Sequence, residues 1–443
     1  MNDTAHAGHL AEGRWTGTVS QFIWLLCVVA LGAGVRTYMW FNGYALNGQP
    51  GLVRHGDGYL QIAEAFRPGS TAGFFDHWRS SYQFIYPLYL APIFAFDLND
   101  GIYVFWLHHA FAAATICLIY FSARRIGGVP CAMLATLVYA VHLQSAYWFN
   151  WAFADTAYHF HLSLFLFCVV AWWDKSSIPR ALCVAACALI MSFTRPEGFV
   201  VTAAFAAAVC FRLLSRRMGP WRALAVVGGT AICLAVALVS FISQSKPVRE
   251  AVLSNVGVGW GLYYGSHRTP TRAVLVDEIL LEMRRYGLEK ASIDPEHRSQ
   301  WYWSSMAGLD RIRAHPLSYV GYSAERMVNA FFPSFFRQGV SLRYKVFDRA
   351  LAFFLMAGVV VALTAKHRLA PLMRALAFAA LGVYVLVSFY QAEWDVRVQL
   401  SAHVFLIPIA SLGWVIIANR VRTRLFPGDA AIAGAGAHSS SDR

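Results

Sequence analysis

Four short stretches of a mostly apolar chain carry ionisable side chains in arrangements that suit chemistry. Asp57 sits in Val53-Arg54-His55-Gly56-Asp57-Gly58-Tyr59, where a glycine on each side frees the backbone and leaves room for a substrate. The same pattern also suits a turn Asp. His55 and Tyr59 flank it as candidate substrate-binding residues. Asp155 lies in Trp148–Tyr158, a stretch without Lys or Arg, so its charge must be solvated, paired or put to use. N-capping of the helix that follows is the plain alternative. Arg195 and Glu197 lie in Phe193-Thr194-Arg195-Pro196-Glu197-Gly198. An Arg among apolar helices costs about 2.5–3.5 kcal/mol on insertion scales, so Arg195 either pairs locally with Glu197 or receives a phosphate. Arg397, in Glu393-Trp394-Asp395-Val396-Arg397, poses the same choice, with two carboxylates close in sequence.

Other chemistries find less support. His159 lies one turn after Asp155, His161 falls on a different face, and His55 is two residues before Asp57. None of these builds an HExxH or another closed ligand set, so no metal ligands are assigned and a divalent ion is left open. There is no Walker A sequence and no GxSxG, which removes the usual grounds for ATP hydrolysis or triad hydrolysis. The eight cysteines all fall in apolar segments, and no loop holds a CxxC. Cys183 and Cys187, at i and i+4, read as small packing residues rather than a metal or redox pair.

The elements that must position these residues follow from composition. Of 443 residues, 58% are hydrophobic and only 14% charged, and the mean hydropathy is +0.46. A soluble domain carries about a quarter charged residues, so the chain reads as a membrane protein. Apolar runs near 20–40, 102–122, 131–149, 157–173, 181–194, 198–212, 223–243, 347–365, 375–391 and 399–419 predict about ten spanning helices. The formal charge of +13 then finds its place. With a cytoplasmic N-terminus, inner segments hold Arg124, Arg125, Lys175, Arg180, Arg216, Lys366 and Arg422 among others, whereas the short outer connections hold only Arg195 and Arg397. No compact basic patch with interleaved aromatics suggests nucleic acid.

The expected fold class is an all-α polytopic membrane protein. Residues 1–19 and 427–443 read as cytoplasmic tails around a membrane domain at 20–426, with outer loops at 41–101 and 244–346. The first span reads as a retained anchor. In the second loop, Thr271–Lys290 has helical periodicity and Pro316 can open a helix running to about Phe332. Trp301, Tyr302 and Trp303 fit an interfacial belt.

The order of these features resembles the GT-C class of multi-span glycosyltransferases, closest to bacterial relatives of protein O-mannosyltransferases and lipid A aminoarabinose transferases. The likeness rests on HGDGYLQIAEAF (55–66) followed by YPLYLAP (86–92), the acidic stretch with Asp155, and RPEG (195–198). It continues through NVGVGWGLYYG (255–265), IRAHPLSYVGYSAERMVNAFFPS (312–334) and EWDVRVQLSAHVFLIPIASLG (393–413). No second acid adjoins Asp57 and no His-Pro-Pro occurs in 86–92, so protein mannosylation is not assigned. The resemblance implies a polyprenyl-phosphate-linked sugar donor, a lipid, glycan or protein acceptor, and a bacterial inner membrane with the active site facing the periplasm or exterior. It also implies roles: Asp57 as general base with Asp155 as a second catalytic carboxylate, and Arg195 or Arg397 on the leaving phosphate. Glu197, Tyr59 and His55 would contact substrate. A lipid-linked glycan polymerase or ligase shares the large outer loop and outer arginines. A transporter or flippase would instead call for charged or broken helices at the midplane and smaller outer loops.

Overall fold

A computed structural model describes residues 18–42, 59–65, 67, 84–147, 154–195, 197–253, 262–263, 266, 273–296, 298–331, 342–389 and 400–425. Asp57, His55, Arg397, the two tails and most of 41–101 lie outside the described residues. Of the described residues, 90% are helical and none forms a strand. The first helices are α1 (Thr18–Asn42), α2 (Tyr59–Glu64), α3 (Ile85–Ala95), α4 (Asp100–Ala140) and α5 (Leu143–Tyr147). They are followed by α6 (Asp155–Asp174), α7 (Ile178–Thr194), α8 (Glu197–Met218), α9 (Pro220–Gln244) and α10 (Lys246–Leu253). The rest are α11 (Ala273–Ser292), α12 (Gln300–Ala314), α13 (Pro316–Phe331), α14 (Leu342–Thr364), α15 (Ala370–Phe389) and α16 (Leu400–Leu425).

Among the described residues, six segments are long and apolar enough to cross a membrane: Thr18–Phe41, Asp100–Ala140, Asp155–Asp174, Glu197–Ser215, Val346–Thr364 and Leu400–Leu425. Ile85–Ala95, Ile178–Thr194 and Ala370–Val385 are apolar but shorter. The segmentation into ten differs in detail. The runs at 102–122 and 131–149 are joined in α4, which breaks where Gly127 (φ −142°, ψ 19°) and Gly128 (φ 78°, ψ −171°) leave the helical region. Only glycine takes the Gly128 conformation cheaply, and Pro130 opens the second arm. The outer stretch after α1 also holds more structure than a loop, since YPLYLAP lies within α3.

By internal contacts the chain divides into two units. The first comprises Met1–Phe199, Phe353–Ala377 and His403–Arg443. Here α4 packs on α1 and α6, and α6 packs on α7. Phe165 of α6 meets Phe405 of α16 edge-on at 6.4 Å, and Cys131 Sγ donates to the Pro408 carbonyl at 3.5 Å. Outward positions are apolar, including Phe22, Ile23 and Leu26 of α1 and Leu182 and Leu189 of α7. Arg36, His108, Asp155, His159, His161, Glu197 and His403 are buried. Large apolar side chains facing outward, with ionisable ones enclosed in an otherwise apolar core, depart from the order of a water-soluble protein and suit a hydrocarbon surround.

Contacts also sort the helix ends of this unit. At one end, Arg125 lies over the Phe167 ring at 5.1 Å, and Arg368 Nη2 reaches the Arg125 carbonyl at 3.4 Å and Asp174 Oδ1 at 4.0 Å. The opposite end gathers the start of α6, the end of α7, the start of α8 and the end of α4. Consecutive helices thus alternate in direction, with exposed basic residues at one end and buried polar ones at the other. Cys187 of α7 lies with its Sγ 3.7 Å from Cys168 Sγ of α6, across a helix pair rather than along its own helix toward Cys183.

The second unit comprises Val200–Ala352 and Phe378–Ala402. Its α11 and α12 pack together, and α10 packs on α9 and α12. Tyr302 and Trp303 do not form an outward belt. The Arg298 guanidinium lies 4.9 Å from each ring and donates to Asp294 from Nε (2.8 Å) and Nη2 (3.0 Å), and Trp303 Nε1 donates to the same carboxylate at 3.2 Å. The aromatic pair is thereby spent on holding an ion pair. Hydrogen bonds from Arg298 hold the Asp294 carboxyl well below the usual carboxylate range. A lowered native value means that the unfolded chain takes up the proton first. The clasp therefore contributes fully above the ordinary range, about pH 4, and its contribution is lost as pH falls through the Asp294 value. Amide exchange over 291–304, corrected for intrinsic rate, should be flat from neutral pH to about pH 5 and rise below about pH 3. Asp294→Asn should abolish that step.

Candidate functional site

The candidate site is built where three helix ends of the first unit meet. Pro196 disfavours helical geometry for the residue before it, and Arg195 is extended (φ −151°, ψ 148°), ending α7. Glu197 then opens α8 and Asp155 opens α6. Arg195 Nε and Nη2 donate to Glu197 Oε2 (3.1 Å) and Oε1 (3.0 Å), a bidentate pair. Its Nη1 donates to Asp155 Oδ1 at 2.6 Å. Their side chains are 6%, 1% and 7% exposed. The local pairing foreseen for Arg195 and Glu197 is present, and Asp155 joins it from a position 40 residues away.

Helix dipoles favour this arrangement. Each carboxylate lies in a first turn, where backbone N–H groups concentrate positive partial charge, and the guanidinium lies at a helix C-terminus. Burial opposes the charge on Arg195, yet Asp155 and Glu197 outweigh it and hold the guanidinium protonated above its ordinary range. Asp155 does not cap α6 with its side chain; Ala154 occupies the N-cap without a side-chain hydrogen bond. The carboxylate goes instead to the guanidinium, because an ion left unpaired here costs more than a lost cap. Gly198 lets α8 start against the end of α7, since a Cβ there would meet the Met191 carbonyl oxygen at 2.6 Å and Ser192 Cα at 2.7 Å.

Tyr59, 3% exposed, meets the Tyr86 ring edge-on at 5.2 Å. The Tyr86 hydroxyl and His108 Nε2 are 2.7 Å apart. His159 Nδ1 is 3.3 Å from the Tyr139 hydroxyl. Thr194 gives its hydroxyl proton to the Ile190 carbonyl (2.7 Å), so toward His161 Nδ1 (2.8 Å) it accepts, and for a neutral ring the Tyr89 hydroxyl donates to His161 Nε2 (3.0 Å). Both nitrogens of His161 are thereby used. Among the described residues no three His, Cys, Asp or Glu side chains are grouped to hold a metal ion.

Several polar residues of this end were not singled out in the sequence. Arg36, 2% exposed, donates from Nη1 to the Gly32 (3.1 Å) and Ala140 (3.3 Å) carbonyls and from Nη2 to Ser145 Oγ (3.4 Å), with its guanidinium 5.4 Å from the centre of the Tyr139 ring. Ala140 ends α4, so Arg36 satisfies a carbonyl that the helix leaves open. One signal could have found it: Arg36 is the only charged residue in α1. His142 Nε2 and His403 Nδ1 are 2.8 Å apart, 261 residues apart in sequence. Ser145 N–H donates to His142 Nδ1 (3.1 Å), which for a neutral ring puts the His142 proton on Nε2, facing His403.

The structure thus brings Asp155, Arg195 and Glu197 together, and places Tyr59 against Tyr86. Of the two expectations for Arg195, pairing is the one seen: it is clasped by two carboxylates, and the group has a formal charge of −1. Arg195→Met should cost about 3–5 kcal/mol, because it leaves two carboxylates buried without their cation. Asp155→Asn should cost less, since Glu197 still pairs with Arg195, and Gly198→Val should cost about 1–3 kcal/mol by overpacking. Unfolding in detergent, followed by the loss of tertiary signal, measures all three. A scan against family models finds no match, and a search of curated proteins finds none.

Proposed function

We propose that the protein is an integral-membrane glycosyltransferase of the GT-C kind, moving a sugar from a polyprenyl-phosphate donor to an acceptor hydroxyl at the outer face of a bacterial inner membrane. The observation that supports this reading is the buried Asp155–Arg195–Glu197 group, at the helix ends opposite the basic ones. Basic ends face the cytoplasm by the positive-inside rule, so the acidic group falls on the outer side of about ten spans. Asp57 precedes the buried Tyr59 by two positions, about 7 Å at full extension, and belongs to the same unit as the acidic group.

The charge of the group divides the labour. Breaking the bond between the anomeric carbon and the lipid phosphate leaves oxocarbenium-like positive charge on the sugar and negative charge on the phosphate. One surplus negative charge, held in a dry setting, stabilises the sugar side and repels the phosphate. Arg195 is then the residue that holds Asp155 and Glu197 in place, and Arg397 is assigned to the phosphate. Asp57, ionised at neutral pH, takes the proton of the acceptor hydroxyl as the new bond forms. His55 and Tyr59 line the sugar. The buried polar groups gather at one end of the spans, which favours outer-face chemistry over a transport path through them.

Purified protein incubated with a panel of polyprenyl-phosphate sugars should release lipid phosphate from one of them. Asp57→Asn should lower that release by about 10²–10⁴-fold at unchanged thermal stability. Full activity in this variant removes Asp57 as the base, and no release from any donor sinks the reading.

A further inference from the structure

We infer that α13 lies in the interfacial zone of the bilayer, with one apolar face turned into lipid hydrocarbon. Leu317, Val320, Gly321 and Ala324 fall at i, i+3, i+4 and i+7, one face of a helix, and all four are exposed, Leu317 to 87%. No charged side chain occupies that face. The buried side is polar: Ser323 and Arg326 are enclosed, Arg326 Nη2 donates to Ser323 Oγ at 2.8 Å, and its guanidinium lies 5.6 Å from the centre of the Tyr319 ring. A helix resting on a protein with its outer face in water has the reverse pattern. Phe353, Met356 and Val360 of α14 show the same outward apolar chemistry within a segment long and apolar enough to span.

Two further observations select lipid as the occupant. Ten residues, 332–341, join α13 to α14. At about 3.5 Å per residue they confine the end of α13 to within roughly 35–40 Å of that span. Immediately before α13, His315 is exposed and Arg313 is largely so, its Nη1 3.4 Å from Asp310 Oδ1. Basic groups at that edge suit the phosphates of lipid headgroups. A second protein is less suited to the stripe. Four positions on one helix are small against the roughly 1,200–2,000 Å² of a stable protein interface, whereas a bilayer sets no such minimum.

Full-length protein in phosphatidylcholine nanodiscs carrying a diazirine near the carbonyl end of one acyl chain provides the test. Irradiation, digestion and mass spectrometry should place lipid adducts on Leu317, Val320 or Ala324, at a yield comparable with the built-in reference at Phe353–Val360. Labelling of the reference without labelling of 316–331 overturns the inference. Adducts on 316–331 that appear only in nanodiscs holding a single copy, and vanish in those holding two, also overturn it, placing a second copy on this face. In Leu317→Glu/Val320→Glu protein that still labels at the reference, adducts on 316–331 should be lost, and their persistence argues against the assigned face.

Discussion

A guanidinium that is 5% exposed among apolar helices stays charged only if anionic groups replace its water. Arg195 meets that condition by drawing together the start of α6, the end of α7 and the start of α8. Each of the three helices presents the matching end of its dipole. The group therefore does two things at once. It ties together the three helix ends that meet in the first unit, and it places two carboxylates around one guanidinium, a formal charge of −1, in a place shielded from solvent. That surplus separates the Asp155 group from an ordinary structural salt bridge, which would be neutral, and it is why the proposed chemistry assigns it to the sugar rather than the phosphate.

The same need shapes the rest of that end. Arg36 finds no carboxylate among the described residues and is held by two carbonyls, a hydroxyl and the face of Tyr139. Tyr139 leads to His159, which lies one turn from Asp155 on α6. His142, His161, His403 and Tyr86 add neutral hydrogen-bonding capacity around them. Polar groups so gathered are satisfied mainly by one another, which leaves the outward faces of the same helices largely apolar away from their basic ends.

A different solution holds in the second unit. Arg298 satisfies itself locally, on Asp294 four residues away and on the rings of Tyr302 and Trp303. Local closure is available because this clasp lies in a connecting segment between helices, where the chain can turn around the ion. Inside a helix that crosses hydrocarbon the backbone is committed to its own hydrogen bonds, so partners must come from neighbouring helices. The inverted face of α13 follows the same logic, its charges turned toward the protein because its outer side offers them nothing.

Apolar run length was enough to mark the chain as helical and membrane-embedded, because a segment that must satisfy its backbone in hydrocarbon has few alternatives to an α-helix; it did not fix the segmentation, since two of the runs share one kinked helix. The pairing of Arg195 with Glu197 was legible for a similar reason: Pro196 sets the local geometry, and the partner is two residues away. The helices opening near Ala273 and at Pro316 were legible from periodicity and from proline. Nothing local revealed that Asp155 would leave the cap of its own helix for Arg195, that Arg36 would close the end of α4, or that His142 would meet His403. Those contacts join residues 40, 104 and 261 positions apart, and they exist because burial makes an unpaired polar group costlier than any local preference. Sequence by itself determined which segments are helical, which ends are basic and which residues are uncomfortable in lipid. Tertiary structure decided who relieves each of them, since desolvation is felt only once the helices have packed.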